Sequence, residues 1–78
     1  MRGKMQQWEY LDVRYSDQGW SANGRVLEDG LDEDGDIEHG LLNRWGLQGW
    51  ELISVAFDQN GDPTKYLFKR PRLYRDGD

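Results

Sequence analysis

The chain contains no cysteine and a single histidine. Without cysteine it cannot form a disulfide or a thiolate metal site, which is typical of proteins in a reducing compartment. One histidine is too few for a histidine-rich metal centre. The sequence also lacks the run of about 20 apolar residues that a membrane-spanning helix requires. We therefore expect a cytoplasmic protein with no disulfide framework and no membrane span.

Motifs for catalysis are missing as well. The ten glycines are dispersed in turn-like segments, so no glycine-rich phosphate loop is present. His39 stands beside Glu38, and no serine or threonine has a nucleophile motif around it. A single domain of 78 residues also has little room for the cleft that paired catalytic carboxylates need. The sequence predicts a protein that is not an enzyme and that uses no cofactor.

Charge is unevenly distributed along an acidic chain. The formal net charge is −5, which disfavours binding to nucleic acid or to an anionic membrane, so we expect neither partner. Seven acidic and no basic residues fall in 28–38, whereas five basic and no acidic residues fall in 65–75. Two such segments either remain solvated separately or attract each other within or between subunits.

The acidic loop 28–38 partly resembles a calcium-binding loop. Its weak metal candidates are Asp32, Asp34 and Asp36. In that alignment Gly30 would take the first position and Leu41 the twelfth, where carboxylate ligands are needed. We therefore predict no metal site and keep cation binding by this loop as a weaker alternative.

Hydrophobic periodicity and turn residues predict an α+β fold. Strands are expected at 8–15, 20–27, 50–57 and 64–70, with a helix at about 37–45. Asn23-Gly24 could also form a tight turn that divides the second strand. Asp34 or Asp36 is expected to cap the helix and Gly46 to end it. The predicted architecture is one small, mostly antiparallel, four-stranded sheet with one helix on one face, in the order β-β-α-β-β.

This domain is expected to span residues 8–72. A flexible extension at 1–7 and a flexible tail at 73–78 would flank it. A chain this short buries little apolar surface, so its core is small, and it has no disulfide to add stability. Oligomerisation is the remaining common way to enlarge the core.

Large apolar side chains occur at both odd and even positions of the predicted strands, so both sheet faces should be apolar. One helix covers one face and leaves the other for a partner, a ligand or water. Six residues share parity within their strands and are the candidates for an interaction face: Trp8, Tyr10, Trp50, Leu52, Tyr66 and Phe68. The sequence leaves open which face the helix covers and whether the strands align in this register.

Three blocks of the chain resemble a known family. They are Trp8-Glu9-Tyr10, Gly49-Trp50-Glu51-Leu52 and the segment 66–71, and the resemblance covers about residues 7–72. The family is that of small bacterial and phage proteins catalogued as domain of unknown function 4177. The resemblance implies a compact α+β domain and no known activity or catalytic residue. The acidic loop at 28–35 looks longer than the family pattern.

These observations favour a non-enzymatic binding or regulatory module. We expect it to self-associate as a homodimer through an apolar sheet face, with an unidentified protein partner as a further option. The alternative is a small-ligand-binding domain whose pocket lies between helix and sheet, with Trp45 and Trp50 as its walls.

Overall fold

The computed structural model describes residues 6–72. Its elements are β1 (Trp8–Ser16), β2 (Gly19–Ala22), β3 (Arg25–Val26), α1 (His39–Leu47), β4 (Glu51–Phe57) and β5 (Pro63–Pro71). The predicted tail at 73–78 and most of the predicted extension at 1–7 lie outside the described residues. Within residues 6–72, no helix is both long enough and apolar enough to cross a membrane.

The strands form one antiparallel sheet in the order β3-β2-β1-β5-β4. The first and last strands of the fold, β1 and β5, are therefore neighbours in its middle. The predicted α+β class is confirmed. The predicted count of four strands is wrong, because the sheet has five.

The additional strand results from a tight turn at Asn23-Gly24. Their φ angles of 50° and 86° are both positive, as a two-residue hairpin of this kind requires. Asn23 also bridges back to β1, since its backbone N–H donates to the Asp12 carbonyl and its side-chain oxygen accepts the Asp12 N–H, both at 2.8 Å. The chain thus reverses inside the predicted strand 20–27 and forms β2 and β3.

The helix begins at His39, which is later than the acidic residues before it predict. Its N-cap residue is Glu38, whose side chain makes no capping hydrogen bond. Neither Asp34 nor Asp36 caps the helix, so that prediction is wrong. Instead, the Asp32 carboxylate accepts the backbone N–H groups of Asp34 at 2.9 Å and Asp36 at 3.0 Å. The acidic residues therefore order the loop that precedes the helix.

The end of α1 is a Schellman motif. Gly49 has a φ of 93°, and its N–H donates to the Gly46 carbonyl at 2.9 Å. The Trp50 N–H donates to the Trp45 carbonyl at 3.0 Å. Gly46, the predicted stop, lies inside the helix, and Gly49 is the glycine whose left-handed conformation ends it.

The core lies between α1 and one face of the sheet. Its buried residues are Leu11, Val13, Trp20, Ile37, Leu41, Trp45 and Phe68. Leu41 and Trp45 come from α1, and Ile37 comes from the segment just before it, where it bridges to Leu31. The Trp45 ring meets the Phe68 ring edge-on at a centroid distance of 5.4 Å. The helix therefore covers the sheet face that carries Phe68.

Candidate functional site

Cross-strand pairing assigns the predicted interaction residues to two faces. Directly paired residues of an antiparallel sheet present their side chains on the same face. Phe68 pairs with Leu11 of β1 and with Leu52 of β4. Tyr66 pairs with Val13 in the same ladder. All five residues therefore belong to the face that the helix covers.

Trp8 and Tyr10 lie on the opposite face, because they alternate with Leu11 along β1. Trp50, by contrast, packs against the core, and Phe68 is itself buried. The register in which the six candidates would form one patch is therefore not the one that the sheet adopts. Alternation determines which side chains of one strand share a face. Which side chains of different strands share a face depends on the register between the strands.

We call the sheet surface opposite the helix the open face. Its side chains come from the three strands β1, β5 and β4: Trp8, Tyr10, Asp12, Arg14, Lys65, Leu67, Lys69, Glu51, Ser54 and Ala56. Trp8 is 41% exposed and Tyr10 is 53% exposed. The Lys69 ammonium lies 4.2 Å from the centre of the Trp8 ring. The open face thus combines exposed aromatics with charged side chains.

An ion pair on β1 shapes the electrostatics of the open face. The Arg14 guanidinium contacts the Asp12 carboxylate at 2.8 Å and also donates to it through Nε. The hydrogen bond from Arg14 lowers the pKa of Asp12 below 3.8 against the opposing effect of desolvation, and attraction to the charges of Arg14 and Lys65 lowers it further. Asp12 therefore carries its charge at neutral pH, and the two charges largely offset each other.

Strand β4 is the most exposed apolar segment of the sheet. Six of its seven residues are exposed. Five of the seven are nevertheless apolar, and Glu51 alone is charged. A register shift against β5 lies between Leu52 and Ser54, so Ser54 pairs with Leu67 and Ile53 has no paired residue in the ladder. Sequence patterns indicated Leu52 of this strand as a candidate but did not identify the whole of β4 as an exposed surface. Exposure of β4 depends on its position at the sheet edge, which no local pattern shows.

Trp45 and Trp50 lie together at the carboxyl end of α1. Trp45 is buried, and the Schellman hydrogen bond ties Trp50 directly to it. The Arg70 guanidinium lies 4.1 Å from the centre of the Trp50 ring. It also pairs with Glu9 and donates to the Gln48 carbonyl at 2.7 Å. Arg70 thereby connects β1, β5 and the carboxyl end of α1.

Two loops of the structure repeat one geometry that the sequence prediction missed. They are the segments 32–36 (DEDGD) and 58–62 (DQNGD). The first aspartate of each accepts backbone N–H groups two and four residues later, at 2.8–3.0 Å. The fourth residue of each is a glycine, with φ of 83° at Gly35 and 84° at Gly61. The shared spacing of aspartate and glycine was the available signal.

A cavity of about 450 Å³ lies between these two loops. Its acidic lining consists of Asp34, Asp36, Asp58 and Asp62. Trp20 also lines it, but this residue is buried and its indole N–H has no hydrogen-bond partner among the described residues. Four carboxylates give the cavity a charge that disfavours anionic ligands.

The acidic side chains do not converge as metal ligands in the described part of the chain. Residues 6–72 contain no group of three or more histidine, aspartate or glutamate side chains placed to hold a metal ion. One carboxylate oxygen of Asp32 already accepts two backbone hydrogen bonds. His39 is exposed at the first residue of α1.

No family model matches this chain, and neither a curated protein nor a solved structure matches it. The resemblance to domain of unknown function 4177 therefore stays a prediction. No functional residue can be transferred from a relative. The candidates are consequently the surfaces that the geometry itself provides, namely the open face, the exposed strand β4 and the acidic cavity.

Proposed function

We propose that this chain is a non-enzymatic interaction module that self-associates as a homodimer through the apolar surface of its sheet. The observation that carries the proposal is the exposure of the apolar strand β4, in which Leu52, Ile53 and Phe57 are 47%, 42% and 61% exposed. Large apolar side chains that are contiguous and exposed mark interaction surfaces more often than isolated ones do.

The size of the core supports the same proposal. Within residues 6–72, seven residues make up the buried core, and the nine-residue helix covers one face of the five-stranded sheet. Chains of this length bury a modest fraction of their surface, so their stability is marginal. Burial of additional apolar area against a second copy stabilises such a domain without a disulfide or a metal.

Charge on the open face is compatible with self-association. The chain as a whole carries −5, and two such chains repel each other. The open face, however, carries the bases Arg14, Lys65 and Lys69 against the acids Asp12 and Glu51. Its net charge is thus opposite in sign to that of the whole chain, and repulsion is weakest there.

Sedimentation velocity of the full chain tests this proposal. We expect the weight-average mass to rise from that of one chain towards that of two as the concentration is increased through the micromolar range. A single species with the mass of one chain, unchanged up to several hundred micromolar, would contradict it. Repeating the measurement at high salt separates the apolar from the electrostatic contribution to dimer formation, because apolar contacts persist when surface charges are screened.

Ligand binding is a second candidate, supported by the cavity between the segments 32–36 and 58–62. Its acidic lining favours amines or other cations over nucleotides and sugar phosphates. A thermal-shift screen with amines, divalent cations and anions distinguishes the two candidates, since a ligand specific for the folded state raises its apparent stability. A shift caused by cations in a chain that stays monomeric would favour ligand binding.

A further inference from the structure

The two outer strands of the sheet differ greatly in length. β3 contains two residues, whereas β4 contains seven. Within residues 6–72 no strand pairs with the outer edge of β4. An unpaired edge presents backbone N–H and C=O groups to which another strand can add. β4 is therefore the edge with the capacity to extend the sheet.

The side chains of β4 lack the usual protection of an edge strand. Leu52 is 47% exposed, Ile53 is 42% exposed and Phe57 is 61% exposed. Protected edges carry lysine, proline or inward-pointing charges. Here the single charge, Glu51, stands at the first position, and the interior of the strand has neither lysine nor proline.

Bulges are another protection, and β4 has two register shifts against β5. They occur between Leu52 and Ser54 and between Ala56 and Phe57. Between them the ladder is regular, with Ser54, Val55 and Ala56 paired in sequence. This middle stretch is the part of the edge that remains straight enough to accept a partner strand.

We infer that two copies of this chain join through β4, antiparallel and edge to edge, into one ten-stranded sheet. The inference rests on the proposed self-association and adds its geometry. Pairing of β4 with β4 is isologous, so one contact uses both available edges and closes the assembly. The edges that remain are the two-residue β3 strands, which are too short to propagate a fibre.

Electrostatics also favour a second copy as the occupant of this edge. Antiparallel pairing places the two Glu51 carboxylates at opposite ends of the contact. Over a seven-residue strand that separation is about 20 Å. Such a distance exceeds the Debye length of about 8 Å at physiological salt, so the two charges hardly repel.

Three substitutions compared by sedimentation velocity test the geometry. Ile53→Lys puts a charge into the edge of β4 and should raise the dimer dissociation constant by about tenfold or more. Val26→Lys is the matched control, because Val26 is 51% exposed on β3, the opposite edge. Tyr10→Lys changes the open face without touching either edge strand. We expect both of these variants to dimerise as the unmodified chain does.

The outcomes separate this inference from the proposed function. An unmodified chain that stays monomeric refutes the proposed function and the inference together. A dimer that Tyr10→Lys weakens as much as Ile53→Lys does, or more, refutes only the edge geometry, since the open faces then take part in the contact. Equal weakening of the dimer by all three substitutions also refutes the edge geometry.

Chemical cross-linking keeps the test decisive if Ile53→Lys fails to fold, which circular dichroism would reveal. The chain has no cysteine, so Ser54→Cys introduces a unique thiol in the middle of β4. A short bifunctional maleimide should then trap a covalent dimer. Ser16→Cys, at another exposed serine at the end of β1, is the control and should remain largely monomeric. Similar cross-linking at both positions would refute the inference.

Discussion

Tyr66 is a titratable residue built into the apolar layer between sheet and helix. Its ring lies 5.6 Å from the Trp20 ring and 6.3 Å from the Phe68 ring, centre to centre. Burial raises the pKa of the Tyr66 phenol above 10.0, and the negative charge of Asp36 adds to the shift. Both effects disfavour the phenolate in the folded chain.

This shift predicts a loss of stability in alkali. Above pH 10 the unfolded chain releases the Tyr66 proton while the folded chain retains it, so the free energy of unfolding falls as pH rises towards the folded-state pKa. Below pH 10 this contribution is fully present. Tyr66→Phe should therefore flatten the decline of the thermal midpoint above pH 10. Tyr15→Phe, at an exposed tyrosine, is the control; a change as large there would contradict the assignment.

At the scale of elements, the acidic loop packs directly on the helix through Gly30. Its carbonyl accepts the Glu38 N–H at 3.1 Å. A methyl group at this position would stand 2.7 Å from Leu41 Cδ2 and 3.2 Å from Leu41 Cβ. A side chain fits there only if the Leu41 side chain shifts and the loop or the helix gives way slightly.

Gly30→Ala should consequently destabilise the fold more than Gly35→Ala. The two glycines have nearly equal φ angles, 81° and 83°, so both substitutions incur a backbone cost of about 1–2 kcal/mol. Gly35 has open space around its Cα position, whereas Gly30 adds a steric cost of about 1–3 kcal/mol. Urea unfolding of both variants measures the difference. Equal losses of unfolding free energy in the two variants would contradict this prediction, because the loop would then accommodate the added methyl group without cost.

Arg70 connects three elements, and Lys69 provides a natural comparison. Each cation lies over a tryptophan ring, at 4.1 Å for Arg70 on Trp50 and 4.2 Å for Lys69 on Trp8. Only Arg70 also binds a carboxylate and the carboxyl end of the helix. We expect Arg70→Met to lower the free energy of unfolding by about 1–2 kcal/mol and Lys69→Met by about 0.5 kcal/mol. Denaturant titration compares them, and a larger loss for Lys69→Met would contradict this view.

Local patterns predicted the elements of this fold better than their arrangement. Alternation and turn residues placed β1, β4 and β5 within one residue of their observed ends, and Asn23-Gly24 signalled the extra turn. These features depend on neighbours along the chain. The helix start was misplaced because Asp32, rather than a helix cap, organises the acidic loop.

The candidate surfaces were less predictable, because they depend on contacts between distant segments. Tyr10 and Phe68 would share one patch only in another register, because β1 and β5 pair in a register that puts them on opposite faces. No local pattern encodes that register. The exposure of β4 similarly follows from strand order, since the same strand in the middle of the sheet would have both edges paired.

For the whole molecule, coupling between folding and assembly predicts a concentration-dependent thermal midpoint. If only the folded state dimerises, mass action stabilises it as concentration rises. We expect the midpoint of the unmodified chain to increase by about 3–5 °C for each tenfold increase in concentration. The midpoint of Ile53→Lys should change little over the same range. Calorimetry at several concentrations measures both, and a constant midpoint for the unmodified chain would oppose self-association.

The adjacency of β1 and β5 also determines when this domain can fold. Their ladder joins Trp8 to Pro71, and the Arg72 N–H donates to the Gln7 carbonyl at 2.8 Å, so the central pairing of the sheet links positions more than sixty residues apart. During synthesis, β1 to β3 emerge as hairpins without the neighbour that completes their core. Closing so long a loop is slow compared with forming a hairpin. Cooperative folding therefore begins only when β5 arrives, and until then β4 has no partner strand in its own chain.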